Sequence, residues 1–208
     1  MKHLIFILLT TLCAAGAQNL TLAISPANLP AGGGTATLTV GYVDGAPTTN
    51  LSALGFTIVL PTGVSFGAAP TSLVMGKTVN FPVAGENGKF LIVGNNPPSN
   101  GTMVGNLATI PVVVAATASG ALSFSASGIT GANATGVVVA VAAPAPVVLG
   151  VLSKYDLNGD GKTDGVDISL ALSQYFGTTA CTMAFNGMPS CQAVDVMLVV
   201  LGAMGLIH

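Results

Sequence analysis

The chain has 208 residues, of which five are lysine, none arginine and seven acidic, so that 6% are charged and the formal net charge is −2. So small a basic footprint excludes nucleic acid as a partner, because phosphate recognition needs clustered cations. Hydrophobic residues make up 51% of the chain but tryptophan is absent, and small apolar residues, Gly, Thr and Ser dominate, as in a secreted β-rich protein.

Residues 1–17 read as a secretory signal peptide. Lys2 supplies the positive charge, Leu4 to Leu12 form the apolar run, and Ala15-Gly16-Ala17 offers a cleavage site before Gln18. The run is too short to span a bilayer. Lipid attachment at Cys13 is the alternative, but it wants a small residue just before the cysteine and Leu12 stands there. In an oxidising compartment the other two cysteines, Cys181 and Cys191, read as a disulfide, with two buried thiols as the alternative. No further cysteine or well-placed histidine completes a metal shell around them.

From residue 20 to 143 the pattern is that of successive short strands. They are expected at 20–24, 35–40, 54–60, 64–66, 72–80, 89–93, 107–115, 121–127 and 136–142. Gly-, Pro- and Asn-rich turns separate them at 31–34, 61–63, 86–88 and 95–101. Many short strands with regular turns predict an all-β sandwich. Pro111 has no amide hydrogen, so its strand is expected at an edge or at a bulge.

Ala143-Pro144-Ala145-Pro146 ends the strand pattern and predicts an extended linker over 144–152. The apolar runs at 136–152, broken by Pro144 and Pro146, and at 194–207, interrupted by Asp195, are both too short for a membrane span.

Beyond the linker the sequence repeats itself at an offset of twenty-eight residues. Gly165-Val166-Asp167-Ile168-Ser169-Leu170 aligns with Ala193-Val194-Asp195-Val196-Met197-Leu198, and Gly177 with Gly205. Each unit predicts a loop, a helix of about ten residues and a glycine cap. Leu170, Leu172, Tyr175 and Phe176 give one helix an apolar face; Leu198, Val199, Leu201 and Met204 give its mate one, and the two are expected to pack together.

Four of the seven carboxylates fall within the first of these loops, D-L-N-G-D-G-K-T-D-G-V-D, residues 156–167. Such crowding is repulsive without a cation. Oxygen-bearing side chains at alternate positions around a glycine turn match an EF-hand-type calcium loop. The expected ligands are Asp156, Asn158, Asp160, the Lys162 carbonyl, Asp164 (directly or through water) and Asp167, holding one Ca2+, with a hydrated Asx-rich turn without an ion as the alternative. In the second loop Ala184 and Met188 replace carboxylates and Pro189 the turn glycine, leaving Asn186, Gln192 and Asp195. Those side chains do not readily satisfy a hard cation, and a disulfide between Cys181 and Cys191 is expected to constrain the segment instead, with an ion held by water and backbone ligands as the alternative.

A duplicated calcium loop with aspartate at its twelfth position, each followed by one helix, resembles a type I dockerin. The match is carried by Asp156, Asn158, Asp160, Gly161, Asp164, Asp167, Ile168 and Leu172. With that tail behind it, the β region resembles a cohesin, on the strand 35–40, on Leu54 to Pro61, and on the segments 89–93 and 105–110. The resemblance implies a mostly β protein: a cohesin or jelly-roll-like sandwich over 18–143, then a small helical dockerin-like domain over 153–208. It implies further that the sandwich has about nine strands and receives a dockerin helix on one face. Partner contacts are expected at Gly165, Val166, Leu172, Ser173, Ala193 and Val194. The expected partner is a cohesin- or dockerin-bearing protein, another copy of the chain among the candidates.

Other functions have less support. Phe56, Phe66, Phe81, Phe90 and Phe124 lie in or beside apolar strands and read as core, so an aromatic platform for polysaccharide is disfavoured. Asp44 and Glu86 are the sandwich's only carboxylates, and His208 is the only histidine after the signal peptide. A hydrolytic triad or glycosidase pair is therefore not expected. A non-catalytic assembly protein is the leading expectation; a carbohydrate-binding or surface protein with its tail packed as an intramolecular cap is the alternative.

Overall fold

The computed structural model describes residues 18–45, 51–81, 88–94, 103–183, 185, 188 and 190–207. The expected signal peptide, Cys13, Glu86, the turn at 95–101, Ala184, Asn186, Pro189 and His208 lie outside the described residues.

Alternation of apolar and polar residues builds two sheets. One joins β1 (Asn19–Ser25), β3 (Gly34–Val43), β9 (Gly105–Val114) and β5 (Val64–Phe66) in that order, with β6 (Thr71–Ser72) also paired to β9. The other runs β2 (Asn28–Leu29), β12 (Val147–Val151), β10 (Gly120–Asn133), β4 (Leu51–Val59), β8 (Lys89–Gly94) and β7 (Lys77–Asn80), and β11 (Val138–Val139) joins β10. All these pairings are antiparallel except that of β12 with β2.

Every second residue points inward. Ala36, Leu38, Val40 and Tyr42 from β3 meet Leu107, Ile110, Val112 and Val114 from β9 on one side of the core. Leu54, Phe56 and Ile58 from β4, with Phe124 from β10, close the other. The phenylalanines belong to this core, as expected. Phe90 stacks on Phe81 (4.3 Å between centroids) and Phe56 (5.4 Å) and meets Phe66 edge-on. Such ring contacts add to simple burial.

The structure corrects the sequence reading at four places. Residues 147–151, expected within a linker, form β12. Its Leu149 and Val151 are buried, and the strand is hydrogen-bonded between β10 and β2. Prolines at 144 and 146 end one strand without preventing the next, since both precede it. Pro111 lies in β9, an interior strand rather than an edge, opposite Thr37 of β3. Its carbonyl accepts from Gly67 N–H (2.9 Å) on the other side, in the gap between the pairings of β5 and β6. Within a strand the N–H and C=O of one residue face the same neighbour, so the missing donor costs no bond to β3.

The expected strand 72–80 is two strands. β6 pairs in one sheet and β7 in the other, with a turn at Gly76 (φ +71°) between them. The expected strand 136–142 narrows to β11. Beyond it Ala142 reaches β1, where its carbonyl accepts from Leu20 N–H (3.1 Å). Edge strand β7 begins with Lys77, which is 5% exposed; its ammonium donates to the Ser52 carbonyl (2.9 Å) and hydroxyl (3.3 Å). Burial lowers the lysine's pKa. An inward-facing charge on an edge strand discourages further strand addition.

No helix among the described residues is long and apolar enough to cross a membrane. Helices α1 (Gly165–Tyr175) and α2 (Ala193–Ala203) form a second, separate hydrophobic cluster after the sandwich.

Phe90→Ala is expected to cost about 3–5 kcal/mol of sandwich stability, as for other large core truncations. Denaturant midpoints at constant slope measure it, and a loss below about 1 kcal/mol would contradict the ring cluster as core.

Candidate functional site

The tail is built from two halves related by twenty-eight residues, and the relation extends to its interior. Its four buried apolar residues form two equivalent pairs, Tyr155 with Met183 and Ala171 with Val199. The packing is reciprocal. Gly202 of α2 sits so close to Tyr155 that a Cβ there would lie 2.8 Å from its ring. At the equivalent position of α1, the side-chain Oε1 of Gln174 accepts from Thr182 N–H (2.7 Å) and Met183 N–H (3.1 Å). Each helix thus holds the segment leading into the other half's loop. Gly177 (φ +72°) and Gly205 (φ +68°) follow the helices in the left-handed conformation, as expected for caps.

The two twelfth-position aspartates are fully buried. Asp167 Oδ1 accepts from the N–H groups of Leu157 (2.7 Å) and Asn158 (3.2 Å), and Oδ2 from Asp164 N–H (2.8 Å). Asp195 repeats the pattern, accepting from Phe185 N–H (3.1 Å) and Gln192 N–H (2.8 Å). A carboxylate taking several backbone donors ties the start of a loop to the first turn of its helix. Asp164 is the N-cap of α1, its side chain accepting from Val166 N–H (2.8 Å), and with Asp167 it forms a capping box.

The other expected ligands fold onto their own loop. Asp156 accepts from Gly159 N–H and Gly161 N–H, both at 2.8 Å. Asn158 Oδ1 accepts from Asp160 N–H (3.0 Å), Asp160 Oδ1 from Lys162 N–H (2.9 Å), and Asn158 Nδ2 donates to Asp160 Oδ2 (3.0 Å). Gly159 (φ +74°) and Gly161 (φ +91°) supply the left-handed turns this winding needs. Among the described residues, no three or more His, Cys, Asp or Glu side chains gather closely enough to hold an ion. Chemically the donor set is all oxygen: carboxylates, one amide and the Lys162 carbonyl. That suits a hard cation and not zinc.

Cys181 and Cys191 are joined by a disulfide, with Cα atoms 5.6 Å apart. It closes the segment in which Phe185 and Met183 are tied by Asp195 and Gln174. The sequence reading missed Gln174, whose amide also donates to the Thr182 hydroxyl (2.9 Å). Its position is glycine in the other half, so repeat comparison could not find it.

The helix faces differ from expectation. Packing between α1 and α2 uses Ala171 and Val199, flanked by Ile168, Val196 and Leu198. Leu172, Tyr175, Phe176 and Met204 face outward instead. A small residue at the crossing lets the helices approach closely, which the larger side chains could not allow. The expected partner residues Gly165, Val166, Leu172, Ala193 and Val194 are exposed; Ser173 is half-buried, its hydroxyl donating to the Ser169 carbonyl (3.0 Å). In the sandwich Tyr42 is buried, and its hydroxyl donates to Asp44 (3.2 Å).

No protein-family model matches the chain, and no curated protein matches it in sequence. Solved structures do match. A cohesin module from a Clostridium perfringens family 33 glycoside hydrolase gives a TM-score of 0.54 at 11% identity, covering 65% of this chain and 97% of that one. A non-cellulosomal cohesin from Archaeoglobus fulgidus gives 0.49 at 15% identity, with 65% and 93% covered. The sixth cohesin of Acetivibrio cellulolyticus scaffoldin B, solved with a Cel5 dockerin mutant, gives 0.47 at 17% identity, with 64% and 99% covered. The protein therefore contains a cohesin-like β-sandwich. At these identities the likeness is one of fold.

Cys181→Ser with Cys191→Ser is expected to cost the tail about 2–3 kcal/mol, the loop-closure value for a crosslink of this span. Asp195→Ala removes the carboxylate that accepts from the part-buried Phe185 and Gln192 N–H groups and is expected to cost about 1–3 kcal/mol. Hydrogen exchange at Phe185 and Gln192 reads both, and unchanged protection in Asp195→Ala would refute the clamp.

Proposed function

We propose that the protein is a secreted, non-catalytic assembly protein: a cohesin-like sandwich that receives a partner, fused to a calcium-stabilised, dockerin-like tail that docks on a cohesin. The observation that carries this reading is where the tail keeps its apolar bulk. Its buried core is made of a few residues, while Phe176 is 71% exposed and Met204 65%. Large apolar side chains placed outside, beside half-exposed neighbours on the same helices, support a binding face where they join into one patch.

Calcium enters through the first loop. Asp156, Asn158, Asp160 and the Lys162 carbonyl would hold it, with Asp164 and Asp167 completing the shell, and its charge would relieve the repulsion among the aspartates. Binding only the folded loop, it stabilises that fold by mass action. The second loop keeps its shape through the disulfide, Asp195 and Gln174.

The intramolecular-cap alternative has less support, because sandwich and tail have separate hydrophobic clusters and the outer helix faces are open. Polysaccharide binding is disfavoured because Phe56, Phe90, Phe124 and Tyr42 are all inside the sandwich. The disulfide fits an extracellular location.

Calcium at about a hundred times its dissociation constant should stabilise the tail by about 2.7 kcal/mol, reversed by chelator. Asp156→Ala should abolish that response, whereas the double cysteine variant should retain it. Thermal unfolding and titration calorimetry of the full chain measure both, and an absent calcium response would refute the reading.

A further inference from the structure

Four Asn-x-Ser/Thr tripeptides without a central proline run through the chain, beginning at Asn19, Asn50, Asn100 and Asn133. In a protein carried out of the cell, such a tripeptide accepts N-linked sugar where it lies on a surface loop. Asn50 and Asn100 lie outside the described residues. The structure separates the other two.

Asn19 belongs to β1. Its backbone pairs with Val43 of β3 on one side and bridges to Ala142 on the other, and the next residue, Leu20, is 1% exposed. That tripeptide is held by neighbours on both edges, so presenting its amide to an enzyme means opening the sandwich.

Asn133 ends β10, and the residues after it, Ala134 to Val138, are all exposed. Backbone bonds close the turn, from Asn133 N–H to the Val137 carbonyl and from Gly136 N–H to the Asn133 carbonyl, both at 3.0 Å. Asn133 Oδ1 accepts from Thr135 N–H (3.0 Å), the Thr135 hydroxyl (2.8 Å) and Val137 N–H (2.9 Å). The side chain thus holds its own turn, and all three bonds use the oxygen. Nδ2, the atom that takes a sugar, has no partner among the described residues and is not buried. The hydroxyl that the tripeptide requires already lies beside the amide.

The surroundings favour a sugar. Val137 and Val138, on the same hairpin, are 60% and 81% exposed. Only 6% of the chain is charged, so few charges hydrate a surface where about 25–35% is usual. A glycan is bulky and solubilising.

We propose that Asn133 is an N-glycosylation site whose co-substrate is an oligosaccharide carried on a lipid diphosphate. Nδ2 displaces the diphosphate from the anomeric carbon. The N–C bond forms as the C–O bond breaks, the leaving diphosphate takes the bonding pair, and Nδ2 gives up one proton. The step is redox-neutral and needs a transferase on the secretory route, so the proposal rests on the reading of the chain as secreted.

Peptide mapping by mass spectrometry of the protein released by its own cell tests it. A glycan-releasing amidase in heavy-oxygen water converts a modified asparagine into labelled aspartate. Label is expected at Asn133 and not at Asn19. Thr135→Ala and Asn133→Gln should each abolish it, whereas Thr135→Ser should keep it. Circular dichroism would show these variants folded, since the turn lies outside the core. An unlabelled Asn133 in protein recovered outside the cell would overturn the proposal while leaving secretion intact, as would sugar found on serine or threonine instead. Label at Asn19 as strong as at Asn133 would overturn the selection by the fold. Protein kept inside the cell with residues 1–17 attached and Asn133 bare would remove both readings.

Discussion

The tail depends on a buried carboxylate in each half. Asp167 and Asp195 are inaccessible to solvent, and each joins the beginning of its loop to the beginning of its helix through backbone N–H donors. Burying a charge is costly unless hydrogen bonds satisfy it, and Asp167 takes three. Helices of eleven residues are marginal alone. With so few apolar residues buried beneath them, these clamps set where each helix starts and how its loop lies. That explains what the second loop kept: its twelfth position remains aspartate while its first, fifth and sixth have lost the calcium-loop residues.

Much of the fold was legible because the responsible constraint is local. A strand with one buried face must alternate, and β3 does so from Ala36 to Val40 and β9 from Ala108 to Val114; the short strand at 64–66 was bounded correctly by the proline-glycine turn before it. What sequence did not reveal depends on tertiary partners. The ladder beside β9 breaks between Phe66 and Thr71, and only that break makes Pro111 harmless in an interior strand. β12 was hidden by prolines that precede it, and the split between β6 and β7 by an apolar run that crosses from one sheet to the other.

The tail shows the same division. The twenty-eight-residue offset in sequence reappears as the paired core, the glycine caps and the equivalent helix starts, so the internal repeat was fully readable. The buried faces of its helices were not. A count of large apolar residues favours Leu172, Tyr175 and Phe176, yet the crossing selects Ala171 because close approach rewards small side chains. Size therefore misleads where two helices meet closely, and the excluded large residues become surface.

That exclusion gives the two halves different kinds of asymmetry. The first loop retains the oxygen donors, while its helix bears serines at the positions equivalent to Met197 and Leu201. The second loop has lost the donors, but its helix presents the more continuous apolar face. A covalent crosslink and the Gln174 amide hold the second loop without needing those donors. The second half thus ties its loop to both helices through contacts that do not use its first, fifth or sixth positions. The two halves therefore share one buried framework and differ in their loops and in the outer faces of their helices.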